Sequence, residues 1–409
     1  MSKRLILTNA RLPLQRDRYQ IEINQGIVQS IRPMRRPTAD SLPHIDMAGD
    51  WVSLGAFDLQ INGALGLAFP DLRTENSDKL QAICDWLWRQ GVDGFCPTLV
   101  TTSRENFQGS LRAIAHFQTQ QNTQNRPTAK VLGAHLEGPF LNIEKRGAHP
   151  ADFLQPLTLD NVKSVIGDFA EAVGIVTLAP ELSEHLSEHS SEHLEVIEWL
   201  TAQDIIVSLG HSLATAEQAN QAFDSGASMI THAFNAMPGL HHRQPGLLGA
   251  AMADARVFCG FIADGQHISS TMLDLLLRMG RGGQDESAKR LGGLFLVSDA
   301  LSPLGLPDGF YPWDSREIEV VKGTARLSDG TLSGTTLPLI EGAKNLVKWG
   351  LCSADEAIAL VTQSPRQAIG LPVLSPGSPA TLLRWHLDEL ARSLTWRRIT
   401  SEESLTELG

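Results

Sequence analysis

Four short apolar runs end on a side chain that can bind a metal or carry a proton: VLGAHLEG at Glu137, IIVSLGH at His211, SMITHAFN at His232 and GLFLVSDA at Asp299. Imidazole nitrogen and carboxylate oxygen are the donors that zinc and similar divalent ions take. Glu137, His211 and His232 together supply three ligands and leave a position for water, as a hydrolytic site requires. Asp299 is the remaining acid, and an aspartate beside a metal-activated water can take its proton and pass it to a leaving group. The run FDLQING adds two neutral amides, Gln60 and Asn62, which alternation places on the same side. Amides are poor ligands for a transition metal and better hydrogen-bond partners for a bound water, so the spacing predicts one ion rather than two. Zinc is the first expectation; iron, cobalt or manganese suit the same donors.

Other polar residues follow these runs. His149 closes a loop that contains Lys145 and Arg146, His267 follows IADGQ, Asn235 and Ala236 follow His232, and Arg243 stands in GLHHRQPG. Arginine forks and histidine donors suit the oxygens of an anionic, hydroxyl-rich ligand. His241 and His242 read as surface. His185, His189 and His193 recur every fourth residue in ELSEHLSEHSSEHLEVIEWL, which stacks them on one helix face with Glu184, Glu188 and Glu192 beside them. That stripe reads as a solvent-facing helix, away from the strand ends where ligands converge.

Bringing residues so far apart in sequence to one place demands a closed frame. Eight strand-like runs can be picked out: WVSLGAFDLQI, GVDGFCPTLV, KVLGAHLE, GIVTLAPE, IIVSLGH, SMITHAFN, RVFCGFIAD and GLFLVSD. Segments of helical period separate many of them, SDKLQAICDWLWRQ and SSTMLDLLLRMG among them. Apolar strands alternating with helices predict an α/β fold with a parallel sheet, and eight units predict a (β/α)8 barrel of the TIM type whose C-terminal strand ends carry the chemistry. Alternating strands before residue 54 and after Gly377 predict a small β-sandwich built from both ends. The expected division is 1–54 with 374–409 for that domain and 55–373 for the catalytic barrel.

Composition narrows the function. The 409 residues carry a formal net charge of −12, against a nucleic-acid surface, and no run approaches a membrane span of about 20 apolar residues. The opening MSKRLILTNARLPLQ lacks the sustained apolar stretch of a secretory signal. Four dispersed cysteines without a CxxC pair read as reduced thiols, so a cytoplasmic location is expected.

The motifs FDLQING, CPTLVT, HLEGPFLN, KRGAHP, VTLAPE, GHSLAT, THAFNAM, QPGLLG, ADGQH, LVSDA and LSGTTL occur in one order along nearly the whole chain. In this the chain resembles the N-acetylglucosamine-6-phosphate deacetylase family of the amidohydrolase superfamily. The resemblance implies a metal held by Glu137, His211 and His232, with Asp299 as general base and acid and His149 polarising the acetyl carbonyl. It implies contacts to an amino-sugar phosphate substrate from Ala148, His149, Asn235, Ala236, His267, Leu332, Ser333 and Gly334. It also implies a homodimer in which Arg243 reaches the neighbouring active site. Gln60 and Asn62 place the chain with the one-metal members. The histidine-bearing insert after Glu181 and Thr381 in GSPATLL depart from the family pattern. Another amidohydrolase substrate, a cyclic amide or a different acetylated sugar, fits the same barrel, because a fold does not fix its substrate. A metal-storing or sugar-sensing protein without turnover is the non-enzymatic alternative, and the acid at Asp299 speaks against it.

Overall fold

A computed structural model describes residues 4–34, 43–123, 126–182, 192–282, 291, 293–314 and 316–399. Eight parallel strands follow one another around a ring: Ala56–Ile61, Val92–Val100, Ala134–Glu137, Val173–Leu178, Ile206–Leu209, Met229–Ile230, Phe258–Phe261 and Leu294–Leu296. Each pairs in parallel with the next. Every residue of Ala56–Ile61 and Ala134–Glu137 is buried, as expected of strands packed on both faces. Helices such as Ser77–Arg89, Ala216–Asp224 and Ala354–Ala368 cover the outside. Capping boxes at Thr215 with Gln218 and at Ser353 with Glu356 fix the starts of the last two.

The ring shuts where the last strand runs on toward Asp299. The Asp299 amide donates to the Gln60 carbonyl at 2.9 Å, and the Asn62 amide donates to Ala300 at 2.7 Å. Beneath this seam the buried carboxylate of Asp58 accepts from the Ser298 amide at 3.1 Å and from the Gln60 amide at 3.4 Å. Strand closure and placement of the site residues are therefore one set of bonds.

Both ends of the chain form a second sheet of seven strands, ordered Ser393–Arg398, Leu382–Asp388, Trp51–Leu54, Arg4–Arg11, Arg18–Asn24, Ile27–Pro33, with His44–Asp46 beside Arg4–Arg11. It has its own core, including Leu7, Ile21, Val28, Met47, Val52 and Leu382. Three features differ from the run-by-run reading. The first run is two strands in two sheets, broken at Gly55, where a Cβ would lie 2.1 Å from the Asp93 carboxylate. That carboxylate accepts from the Gly55 amide at 2.8 Å and pairs with Arg398 at 2.9 Å, tying the terminal sheet to the base of the barrel. The third run breaks at Gly133, whose φ of +125° suits glycine. Between the last strand and the helix Leu339–Lys348, four antiparallel strands (Gly309–Trp313, Arg316–Val321, Thr324–Leu327, Leu332–Thr335) form a small sheet that the sequence reading did not anticipate. No described helix is long and apolar enough to cross a membrane. The four cysteines are free. His185 and His189 lie outside the described residues, and of His193 only its place in the helix Glu192–Ala202 is described.

Candidate metal centre and active site

Glu137 is the last residue of its strand, and His211 and His232 stand two residues beyond theirs. The Nε2 atoms of His211 and His232 lie 3.1 and 3.0 Å from Glu137 Oε1 and 3.0 Å from each other. All three side chains are buried. His211 Nδ1 donates to the Lys145 carbonyl at 2.8 Å, so in the neutral ring Nε2 carries a lone pair. Two imidazole nitrogens and a carboxylate oxygen thus converge on one point. A tetrahedral ion with bonds of about 2.0–2.1 Å spaces its ligands about 3.3 Å apart. The donor types and spacing fit one divalent ion. Burial alone would raise the Glu137 carboxyl, but the His211 and His232 imidazoles beside it hold it well below its ordinary value. Burial disfavours charge on His232, yet Glu137 outweighs it and raises that imidazole.

Asp299 faces this cluster across the top of the seam. Its Oδ1 accepts from Asn62 Nδ2 at 2.8 Å and from Gln60 Nε2 at 3.3 Å, and the same Gln60 amide reaches Glu137 Oε1 at 3.0 Å. The two amides therefore spend their NH2 groups on carboxylates; Asn62 Oδ1 makes no hydrogen bond among the described residues. Burial first, and then the Glu137 charge, push Asp299 up to about 6. A carboxyl poised there exchanges a proton readily near neutral pH.

His149 stacks edge-on against His211, with ring centroids 4.5 Å apart. Its Nδ1 accepts from the Thr101 backbone N–H at 3.3 Å, with the Thr101 hydroxyl at 2.9 Å. A backbone amide can only donate, so Nδ1 holds the lone pair and the proton sits on Nε2. Burial, then the neighbouring His211, lower this histidine to about 3, so it stays a neutral donor.

Strain marks the same positions. His211, His232 and Asp299 have φ of +48°, +28° and +48°, and Phe234 and Ala236 are also left-handed. Each such residue costs on the order of 1–3 kcal/mol and persists only where its surroundings over-determine it. Gly334 (φ +110°) is required at its place, since a Cβ would lie 2.7 Å from the Asp299 carbonyl.

A cavity of about 800 Å³ opens over the cluster. Asn62, Glu137, Ala148, His149, His211, His232, Asn235, Ala236, His267, Asp299, Leu332, Ser333 and Gly334 all line it. Gln60 does not; it lies beneath, between the two carboxylates. Arg243 is exposed and lies outside the lining. Two partners were missed from sequence. Thr101 meets His149 across 48 positions, which no local pattern signals. Asp264, whose carboxylate accepts from His267 Nδ1 at 2.7 Å, sits three residues before it in ADGQH, a local spacing that could have been read.

No family model matches the chain. Among curated proteins, it is 36% identical over 334 residues to N-acetylglucosamine-6-phosphate deacetylase of Bos taurus, covering 80% of this chain and 76% of the relative. It is 29% identical over 371 residues to N-acetylgalactosamine-6-phosphate deacetylase of Escherichia coli O157:H7, covering 90% of each. Among solved structures, the N-acetylglucosamine-6-phosphate deacetylase of Pasteurella multocida superposes with a TM-score of 0.78 at 26% identity, over 97% of this chain and 100% of that one.

Proposed function

Since the chain belongs to the N-acetylglucosamine-6-phosphate deacetylase family, we propose that it hydrolyses the amide of N-acetylglucosamine 6-phosphate to acetate and glucosamine 6-phosphate, in amino-sugar catabolism or recycling. The observation that carries this reading is Asp299, a buried carboxylate held by two amides beside a Glu–His–His ligand set in one cavity.

Glu137, His211 and His232 would hold one divalent ion, zinc first, which when bound supplies Lewis acidity to a carbonyl and acidifies a water. Asp299 takes the proton of the attacking water as the carbon–oxygen bond forms. It then delivers that proton to the nitrogen as the carbon–nitrogen bond breaks, so that a neutral amine leaves rather than an amide anion. His149, protonated on Nε2, donates to the carbonyl oxygen as charge gathers there. Asn62 and Gln60 hold the Asp299 carboxylate toward the cavity, and Asn62 Oδ1 is left to position the water. Ala148, Asn235, Ala236, His267 and the stretch Leu332–Gly334 surround the sugar phosphate, with Asp264 orienting His267.

Arg243 stands outside its own cavity, which supports a homodimer in which it reaches the phosphate in the neighbouring one. We assign residues 1–54 and 374–409 to the β domain and 55–373 to the barrel. A phosphorylated substrate and four unpaired thiols support a cytoplasmic location.

The long alignment with the galactosamine relative favours a second reading, in which the 4-epimer is the preferred substrate. Acetate release measured on both phosphorylated sugars, with and without a chelator, tests the two together. The ratio of kcat/KM names the substrate, and no acetate from either would end both readings.

A further inference from the structure

The buried carboxylate of Glu181, just beyond the fourth barrel strand, touches neither the ligand cluster nor the cavity, yet it bonds to the two residues that follow His211. Its Oε2 accepts from the Ser212 hydroxyl at 2.7 Å, and its Oε1 accepts from the Leu213 amide at 2.6 Å. These donors belong to the two residues that follow the ligand. Oε1 also accepts from Asn142 Nδ2 at 2.9 Å. Asn142 caps the single 3-10 turn Ile143–Lys145 and donates its own amide to the His211 carbonyl at 2.9 Å. The far end of that turn is the Lys145 carbonyl, which receives His211 Nδ1. A closed circuit therefore runs from Glu181 through Asn142 and the turn to the imidazole, and back along the backbone of Ser212 and Leu213.

We infer that Glu181 is a positioning residue for the metal centre: it fixes both the left-handed backbone of His211 and the carbonyl that sets its tautomer. The left-handed conformation at His211 is costly for a residue with a side chain, and three bonds to one carboxylate over-determine it. A carboxylate suits the task because the Leu213 and Asn142 N–H groups, which can only donate, share one oxygen, and the Ser212 hydroxyl, whose oxygen already accepts from the Ala214 amide, gives its proton to the other. Glutamine in its place can turn an NH2 toward Ser212 Oγ, which leaves that buried hydroxyl proton without its acceptor and loosens the circuit. The ring is then freer to turn away from Glu137 and His232. Loss of such an outer partner costs about 10–100-fold in metal affinity.

The inference rests on reading Glu137, His211 and His232 as a metal site, and the test separates the two. The metal-free full-length protein and its E181Q variant are each titrated with zinc against a competing chelator, and with cobalt while the visible absorption is followed. The expected result is a zinc dissociation constant raised about 10–100-fold in E181Q and an altered cobalt spectrum. Activity should return when the variant is saturated with metal. If E181Q binds zinc as tightly as the parent and gives the same cobalt spectrum, the assignment of Glu181 is overturned. If the parent itself binds neither ion, the metal-site reading is what fails. Should E181Q not fold, Asn142→Ala and Ser212→Ala each open one arm of the circuit. Either must weaken zinc binding for the assignment to stand, and unchanged affinity in both overturns it.

Discussion

Asn62 Nδ2 donates to Asp299 Oδ1 at 2.8 Å, the shortest side-chain hydrogen bond that Asp299 accepts. It draws the carboxyl toward ionisation, against burial and the Glu137 charge, which push it up. In Asn62→Ala that donor is gone. We expect the acid limb of the kcat profile to move to higher pH, because the proton on Asp299 is then harder to remove. Rates measured from pH 4.5 to 8.5 check this, and an unmoved limb would show that the bond does not tune the acid.

Asp299 supplies no ligand atom to the cluster of Glu137, His211 and His232. Asp299→Asn should therefore keep the metal, determined by elemental analysis, and lose turnover by about 10²–10⁴-fold. Loss of metal in this variant would recast Asp299 as a ligand.

The ligand set has two imidazoles and one carboxylate, and the neutral amides of Gln60 and Asn62 beside it bond to carboxylates. Stripping metal with a chelator should abolish acetate release, and one equivalent of zinc per chain should restore it. Restoration that climbs up to two equivalents would contradict the single-ion reading.

Burial raises Asp58 to about 7. A carboxyl of ordinary value near 4 in the unfolded chain binds its proton less tightly there than in the fold. The folded state thus holds more protons between about pH 4 and pH 7, and stability falls as pH rises across that window. Asp58→Asn keeps an acceptor for the Ser298 and Gln60 amides and mimics the protonated acid. Its Tm should change less than the parent's between pH 5 and pH 8.5. Parallel curves would remove Asp58 from the pH response.

The ligand-bearing strand ends were legible in sequence because burial on both faces forces a continuous apolar run, and the switch to His, Glu or Asp stands out against it. The repeated spacing of such runs with helical segments carried the barrel. Gly55 hid a change of sheet, because the apolar run passes through it without a break and only the close approach of Asp93 reveals the corner. The sheet between Gly309 and Thr335 escaped notice because its strands are short and largely exposed outward, as in the half-buried pattern of Arg316–Val321. Thr101 and Glu181 lay within quoted motifs, but their roles come from contacts across the barrel, which no local period records.

The seam between Gln60 and Asp299 joins the first strand of the ring to the last. All three ligands precede Asp299 in the chain, and the last strand brings the proton carrier to them. Asp299 meets its amides only when the circle is drawn shut. Shutting the circle and seating the proton carrier are thus a single event, made by the same few bonds.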